Sequence, residues 1–304
     1  MPKLRLKSTI SRLALAPLAA FAVAGATPAL AQEAVDADPA LWVVEDEDTT
    51  IYLFGTFHVM KAGVDWFNDE VRVAYDASDE VVVEAVLPED PAELQPIIMQ
   101  YALSKNDTPL TAELSEEGQT KLGEILTSLG APANALDAFT PAFASTNLLA
   151  AFLPAMGFST ELGIDKLIIA EAEQDGKPVS ALETPEFQFS MLFAGQSEEE
   201  QAKQLDQMLA DFGETPEFLN AMLEAWKTGD EVGFKSMLDE MNDESEEAYD
   251  IIFTNRNITW ADWIEDRLAE PGTVFMAVGT GHLAGDDSVQ VQLEEKGIAS
   301  RRAN

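Results

Sequence analysis

The sequence predicts an α/β protein: a mixed central sheet built from two strand–Gly-x-x-His–helix–strand halves, with a large helical insertion between them. Three observations point there. Two continuous apolar runs, Ile51-Tyr52-Leu53-Phe54 and Val274-Phe275-Met276-Ala277-Val278, lie near opposite ends of the chain. They read as buried strands, because a half-exposed strand would alternate apolar and polar residues. Each run stops at a matching motif, Gly55-Thr56-Phe57-His58 and Gly279-Thr280-Gly281-His282. The long stretch between them carries apolar residues at three- and four-residue spacing, the mark of helices with one buried stripe.

After the first motif the pattern predicts a helix over 64–77 and a strand over 80–86. After the second it predicts a helix over 288–295 and a short strand over 298–302. The intervening region, about 90–270, reads as helices over 91–103, 113–129, 141–156, 160–174, 185–194, 198–212, 216–228, 231–239 and 244–270. Asp175-Gly176-Lys177 punctuates this region and announces a strand over 178–183. No Ser/Gly linker interrupts the run, so residues 32–304 are expected to form one domain.

The first 31 residues are set apart. Lys3, Arg5, Lys7 and Arg12 precede an apolar stretch over 13–26 that ends at Ala29-Leu30-Ala31. A basic start, a short apolar core and small residues at a cut site predict a secretory signal peptide cleaved after Ala31, and hence a periplasmic or secreted protein. The apolar stretch is too short to predict a lasting membrane span. With no cysteine in the chain, neither a disulfide framework nor a cysteine-linked lipid anchor is expected.

The whole chain carries a formal charge of −37; losing four basic residues with the leader leaves 14 Lys and Arg against 55 Asp and Glu, or −41. Binding a phosphate backbone requires clustered cations, so nucleic acid is excluded as a partner and anionic lipid is disfavoured. A small molecule or a peptide is the expected substrate class.

The chain has two histidines, and both end a Gly-Thr-x-His motif after a buried strand. A glycine there admits close approach of a ligand, and in α/β sheets ligands bind beyond the strand ends. Gly55, Thr56, Gly279 and Thr280 are therefore candidate substrate-binding positions. A neutral imidazole at such a place can hold a metal or accept a proton. Two acids end neighbouring strands: Glu84 after Val81-Val82-Val83, and Glu183 after Val179-Ser180-Ala181-Leu182. Two His with one or two carboxylates would suit a divalent cation such as Mn²⁺ or Zn²⁺. Without metal, the same set could run general-base hydrolysis. Arg256, within Thr254-Asn255-Arg256-Asn257, is a candidate catalytic group that could clamp a carboxylate or an oxyanion. Gly279-Thr280-Gly281-His282-Leu283-Ala284 mimics a dinucleotide fingerprint, but too little chain follows for the βαβ units that the fingerprint needs. No Gly-x-Ser-x-Gly elbow, phosphate loop or His-Glu-x-x-His helix occurs.

Together these pieces resemble the TraB/GumN family, which is related to the Tiki metalloproteases and more distantly to erythromycin esterases and haem-binding ChaN-like proteins. The matching segments are Leu41-Trp42, Tyr52 to His58, Val82-Val83-Glu84, Gly163-Ile164-Asp165, Gly176-Lys177-Pro178-Val179, Leu182-Glu183-Thr184, Arg256-Asn257 and Val278 to Gly285. Resemblance to the Tiki branch implies metal-dependent hydrolysis of a peptide or related bond, with His58 and His282 as ligands and Glu84 as ligand or base. The esterase branch implies His and Glu catalysis without a required metal. The ChaN-like branch implies binding without turnover, and the alternative reading is a non-catalytic periplasmic binding protein for metal, haem or an envelope polymer.

Overall fold

Alternation along the central strands decides the layering. Ile51 and Leu53 share one face of the sheet with Val82, Val274, Met276 and Val278, and pack there against Trp260, Ala261, Ile264, Val289 and Leu293. Phe54, Val81, Val83, Phe275 and Ala277 face the other way, onto Trp66, Tyr75, Ile164, Ile168 and Trp226. Each face buries branched and aromatic side chains under helices, so the strands can be apolar on both sides.

The computed structural model describes residues 34–88 and 90–304. The leader expected over residues 1–31 lies outside them. Six strands form the central sheet: β1 (Leu41–Glu45), β2 (Thr49–Thr56), β3 (Glu80–Ala85), β4 (Val179–Glu183), β5 (Gly272–Gly279) and β6 (Ser300–Arg302), in spatial order β6-β1-β2-β5-β3-β4. β2, β5, β3 and β4 run parallel, while β1 and β6 add antiparallel at one edge. The predicted mixed sheet is therefore present. β2 and β5 lie side by side, with Thr56 opposite Gly279. Ala277 pairs with Phe54 on one side and Val83 on the other, and Ala85 pairs with Glu183. Four parallel strands thus end at one edge, each delivering a motif residue.

The two halves are not symmetric. β3, from the first half, pairs with β5 of the second, whereas β6 pairs antiparallel with β1. The stretch between the motifs is also not one block, because β4 returns to the sheet within it. Three helices, Glu116–Ser128, Pro141–Phe152 and Glu198–Ala210, build a separate core around Leu122, Leu148 and Leu205. Thr140 and Ser197 cap two of these helices through their hydroxyls, as capping propensity predicts.

Several predicted helices differ at their ends, the helix from Glu231 running on to Glu244 and the one expected from 160 starting at Ile164, and two differ in course. The first begins only at Asp69, after Asn68, because Val64–Asp65 is drawn into a short parallel ladder with Val35–Asp36. The last long one is broken. A short helix (Glu246–Tyr249) passes into a π-helical turn (Asp250–Thr254) before the regular helix Asn255–Arg267. No described helix is long and apolar enough to cross a membrane.

Gly55 is the tightest point of the sheet edge. A Cβ there would lie 2.6 Å from Thr280 Oγ1 and 3.2 Å from Thr280 Cα, and the Gly55 carbonyl accepts the buried Trp226 Nε1–H at 2.8 Å. Gly55→Ala must push β2 and the second motif apart. It is expected to lose about 1–3 kcal/mol, read as a lower urea midpoint with an unchanged slope.

Candidate active site

Arg256 is placed by the π-helical turn, whose extra residue per turn swings the side chain under the strand ends. All five of its N–H donors are taken. Nε donates to Glu183 Oε1 at 2.7 Å. Nη2 donates to Glu84 Oε2 at 2.6 Å and to Glu183 Oε2 at 2.9 Å. Nη1 donates to the Ile252 carbonyl at 3.0 Å and faces His282 Nε2 at 2.9 Å. The guanidinium also lies over the Trp260 ring, 4.7 Å from its centroid. Gln188 Nε2 donates to both Glu84 Oε2 and Glu183 Oε2, at 3.2 and 3.1 Å. Each glutamate at a strand end is thus held by the same arginine and the same glutamine.

This geometry sets the proton on His282. A guanidinium has no lone pair, so Nε2 must accept, and Nδ1–H must donate to Asn257 Oδ1, 2.6 Å away. Asn257 is itself anchored by donating to the Asp287 carbonyl at 2.7 Å. The imidazole is buried between the rings of Trp260 and Phe253. Burial pulls its pKa down to about 3; the nearby Glu84 carboxylate opposes this, while Arg256 and His58 reinforce it. His282 is a neutral, fixed acceptor.

Burial pushes the Glu84 carboxyl up, yet His282, Arg256, His58 and the Gly279 N–H together bring it down to about 2. With His282 neutral, the durable causes are the guanidinium and the Gly279 N–H, which donates to Oε1 at 2.6 Å.

His58 differs from its sequence counterpart in every respect. Its side chain is 62% exposed, and Nδ1 lies 3.2 Å from Asp165 Oδ1. That oxygen is buried and accepts no well-aligned hydrogen bond, so its contact with the imidazole is one of charge at 3.2 Å. Asp165 raises the His58 pKa above its ordinary value, more than desolvation lowers it; Glu84 also raises it and Arg256 opposes. Asp165 reaches this place because the helix Ile164–Asp175 starts at Gly163, where a Cβ would strike the His58 carbonyl oxygen at 2.5 Å.

The two motifs meet at Gly279. A Cβ there would lie 3.0 Å from Glu84 Oε1, 3.6 Å from His282 Cδ2 and 3.8 Å from His58 Nε2. Of the residues singled out in the sequence, His58, His282, Glu84, Glu183 and Arg256 converge on this edge. Thr280 turns away and donates to the Thr56 carbonyl at 3.0 Å, and the buried Thr56 hydroxyl has no hydrogen-bond partner. Gln188 carried no motif and escaped sequence reading; Asn257 and Asp165 sat in matching segments without an assigned role.

As arranged, these donors do not fit a divalent cation. Both nitrogens of His282 are engaged, and each Glu84 oxygen already accepts a strong hydrogen bond. Among the described residues, the set of three His, Asp or Glu donors lying within 4.8 Å of one another is the exposed Asp36, Asp38 and Asp69, not the histidine cluster.

The depressed pKa values have a stability consequence. The unfolded chain takes up the His282 proton near 6.5 while the folded chain refuses it until about 3. The folded Glu84 likewise stays ionised below its ordinary 4.5. The contribution of these two groups should therefore be full above pH 6.5 and fall between pH 6.5 and 3, while the raised pKa of His58 works the other way, its contribution being lost as the pH rises above 6.5. Urea midpoints measured across this range check it. His282→Gln should flatten the upper part of the slope, and an unchanged slope in that variant would remove His282 as its source.

Residues 40–302 match the model of the TraB/PrgY/gumN family. An uncharacterized protein of Escherichia coli (strain K12), YbaP, is 28% identical over 214 residues, covering 65% of this chain and 76% of that one. The YbaP protein of Shigella flexneri matches to the same extent. No solved structure matches. The family match runs through both Gly-x-x-His motifs, both strand-end glutamates and Arg256, and on that extent the chain belongs to the TraB/PrgY/gumN family.

Proposed function

We propose that this is an exported hydrolase acting on an ester or peptide bond, in which His58 activates water without a metal. The observation that carries this reading is the gap at Gly279. His58 Nε2 and Glu84 Oε1 both come within 4 Å of the point where any other residue would have its Cβ. A water or a reacting carbonyl there would touch a base and a carboxylate at once.

The roles follow from the contacts. Asp165 holds the Nδ1–H of His58, leaving Nε2 as the acceptor. The base removes one proton from water as the oxygen attacks the carbonyl carbon, and the same imidazolium returns that proton to the departing alkoxide or amine. Atoms and charge balance without a further reactant. Asp165 and Glu84 stabilise the imidazolium formed in between. Arg256 is a positioning residue, since its five donors are spent on the scaffold and none is left for an oxyanion. This differs from the clamp expected from sequence, and it agrees with the metal-free mode that resemblance to erythromycin esterases implies. An acidic chain of formal charge −37 favours neutral or cationic substrates.

The alternative of a binding protein without turnover separates cleanly by assay. A panel of esters and peptides should show turnover by the wild type that rises with pH to a plateau, with an apparent pKa above 6.5. His58→Gln should lose about 10²-fold or more in kcat. Asp165→Asn should lower kcat and draw the apparent pKa back toward 6.5, a movement that general destabilisation would not produce. Equal rates in wild type and His58→Gln would end the proposal.

A further inference from the structure

We infer that the Arg256 guanidinium occupies the cation position of this cleft, so that the native chain excludes a divalent metal ion from its histidine cluster and a single arginine substitution would create a metal site. The inference concerns binding alone and does not depend on the hydrolytic reading.

The donor set is that of a cation site. A neutral imidazole nitrogen and two carboxylates from different strands converge with a half-buried amide, Gln188, bridging the carboxylates. One nitrogen and several carboxylate oxygens suit borderline and hard divalent ions such as Zn²⁺ and Mn²⁺. The second layer that orients metal ligands is also present: Asn257 fixes the His282 tautomer with Nε2 free of its proton, and the Gly279 N–H fixes one Glu84 oxygen. What lies in the middle is a guanidinium. It is buried, it uses the Nε2 lone pair that a metal would need, and it is paired to both acids.

The guanidinium cannot share this place. Its pKa is too high for it to leave as a neutral group, and its contacts with both faces of the cleft hold it there. The charges agree: two carboxylates against one guanidinium leave one uncompensated negative charge, so only removal of the arginine creates room and charge for a doubly positive ion.

The test uses the full chain with Mn²⁺ and Zn²⁺ as probes. Ring ¹⁵N–¹H spectra report on the site directly, because the protein has two histidines and His58→Gln assigns them. In the wild type, one equivalent of Mn²⁺ should leave the His282 ring signals sharp, whatever ions collect on exposed acids. In Arg256→Ala those signals should broaden away. Calorimetry with Zn²⁺ should show one added equivalent, bound at least about tenfold tighter than anything in the wild type. The added equivalent should vanish in Arg256→Ala/His282→Ala. Arg256→Gln, which offers two donors in place of five, serves if the alanine variant does not fold. The inference is overturned if wild-type His282 signals broaden with stoichiometric Mn²⁺, or if a folded Arg256 variant gains no metal.

Discussion

Five hydrogen bonds from one guanidinium tie together segments that are remote in sequence: the ends of β3 and β4, the π-helical turn and the second histidine motif. Without it the two strand-end acids would keep only the Gly279 N–H and the Gln188 amide, and no countercharge. A carboxylate at the close of an apolar parallel strand is costly to bury, and breaking a buried pair typically costs about 3–5 kcal/mol. The acids at the strand ends can therefore stay buried and ionised because Arg256 pairs with both. Lysine could not substitute, since three donors on a rotating ammonium do not match two carboxylates, a carbonyl and an imidazole in one plane. The π-helical turn is the backbone's share of this arrangement: a regular helix would have carried Arg256 to a different azimuth.

The same constraint divides the labour between two histidines that look alike in sequence. His282 faces a permanent cation and is sealed by Trp260 and Phe253, so it stays neutral and works as a fixed acceptor. His58 faces a carboxylate and solvent, so it holds its proton more tightly than a free imidazole. Groups of one chemical kind whose environments push their pKa values apart are the usual sign of separated acid–base roles. The asymmetry of the sheet is the reason. β3 of the first half sits beside β5 and brings Glu84 to the second motif, while β6 of the second half is spent on the far edge beside β1. His58 thus has no strand-end acid of its own kind and takes Asp165 from a helix start instead.

Much of this was legible in the residues. The apolar runs at 51–54 and 274–278, each closed by Gly-Thr-x-His, announced adjacent strand ends, and Glu84 and Glu183 after branched runs announced where the acids would lie. Arg256 could be picked out as a candidate clamp for a carboxylate or an oxyanion. Its role could not be read, because counting how many donors are already spent requires three-dimensional partners that share no sequence pattern. Gln188 was invisible for the same reason: it lies inside a helix with no motif around it, and only the convergence of β3 and β4 gives it two carboxylates to bridge. The helix expected over 244–270 hid its π-helical turn, since one extra residue leaves the apolar spacing nearly intact. The helix expected from residue 64 lost its first turn to a ladder with Val35–Asp36, a long-range pairing that local periodicity does not encode.

Electrostatics connect the scaffold to the chemistry proposed for it. Two unit charges 4 Å apart interact by about 4 kcal/mol at an effective dielectric of 20, and a divalent ion beside Arg256 would face about twice that in repulsion. A proton is a gentler cation. The cluster's one unbalanced negative charge is met by a proton on His58, which Asp165 and Glu84 both favour. That preference costs some of the neutral base at rest. It is recovered when the base takes its proton from water, because the imidazolium then forms between two carboxylates already in place and no group has to move to stabilise it. In the proposed reaction the buried arginine thus serves at a distance, by pairing with Glu84 Oε2 and keeping the carboxylate ionised, while Oε1, held by the Gly279 N–H, faces the gap at Gly279.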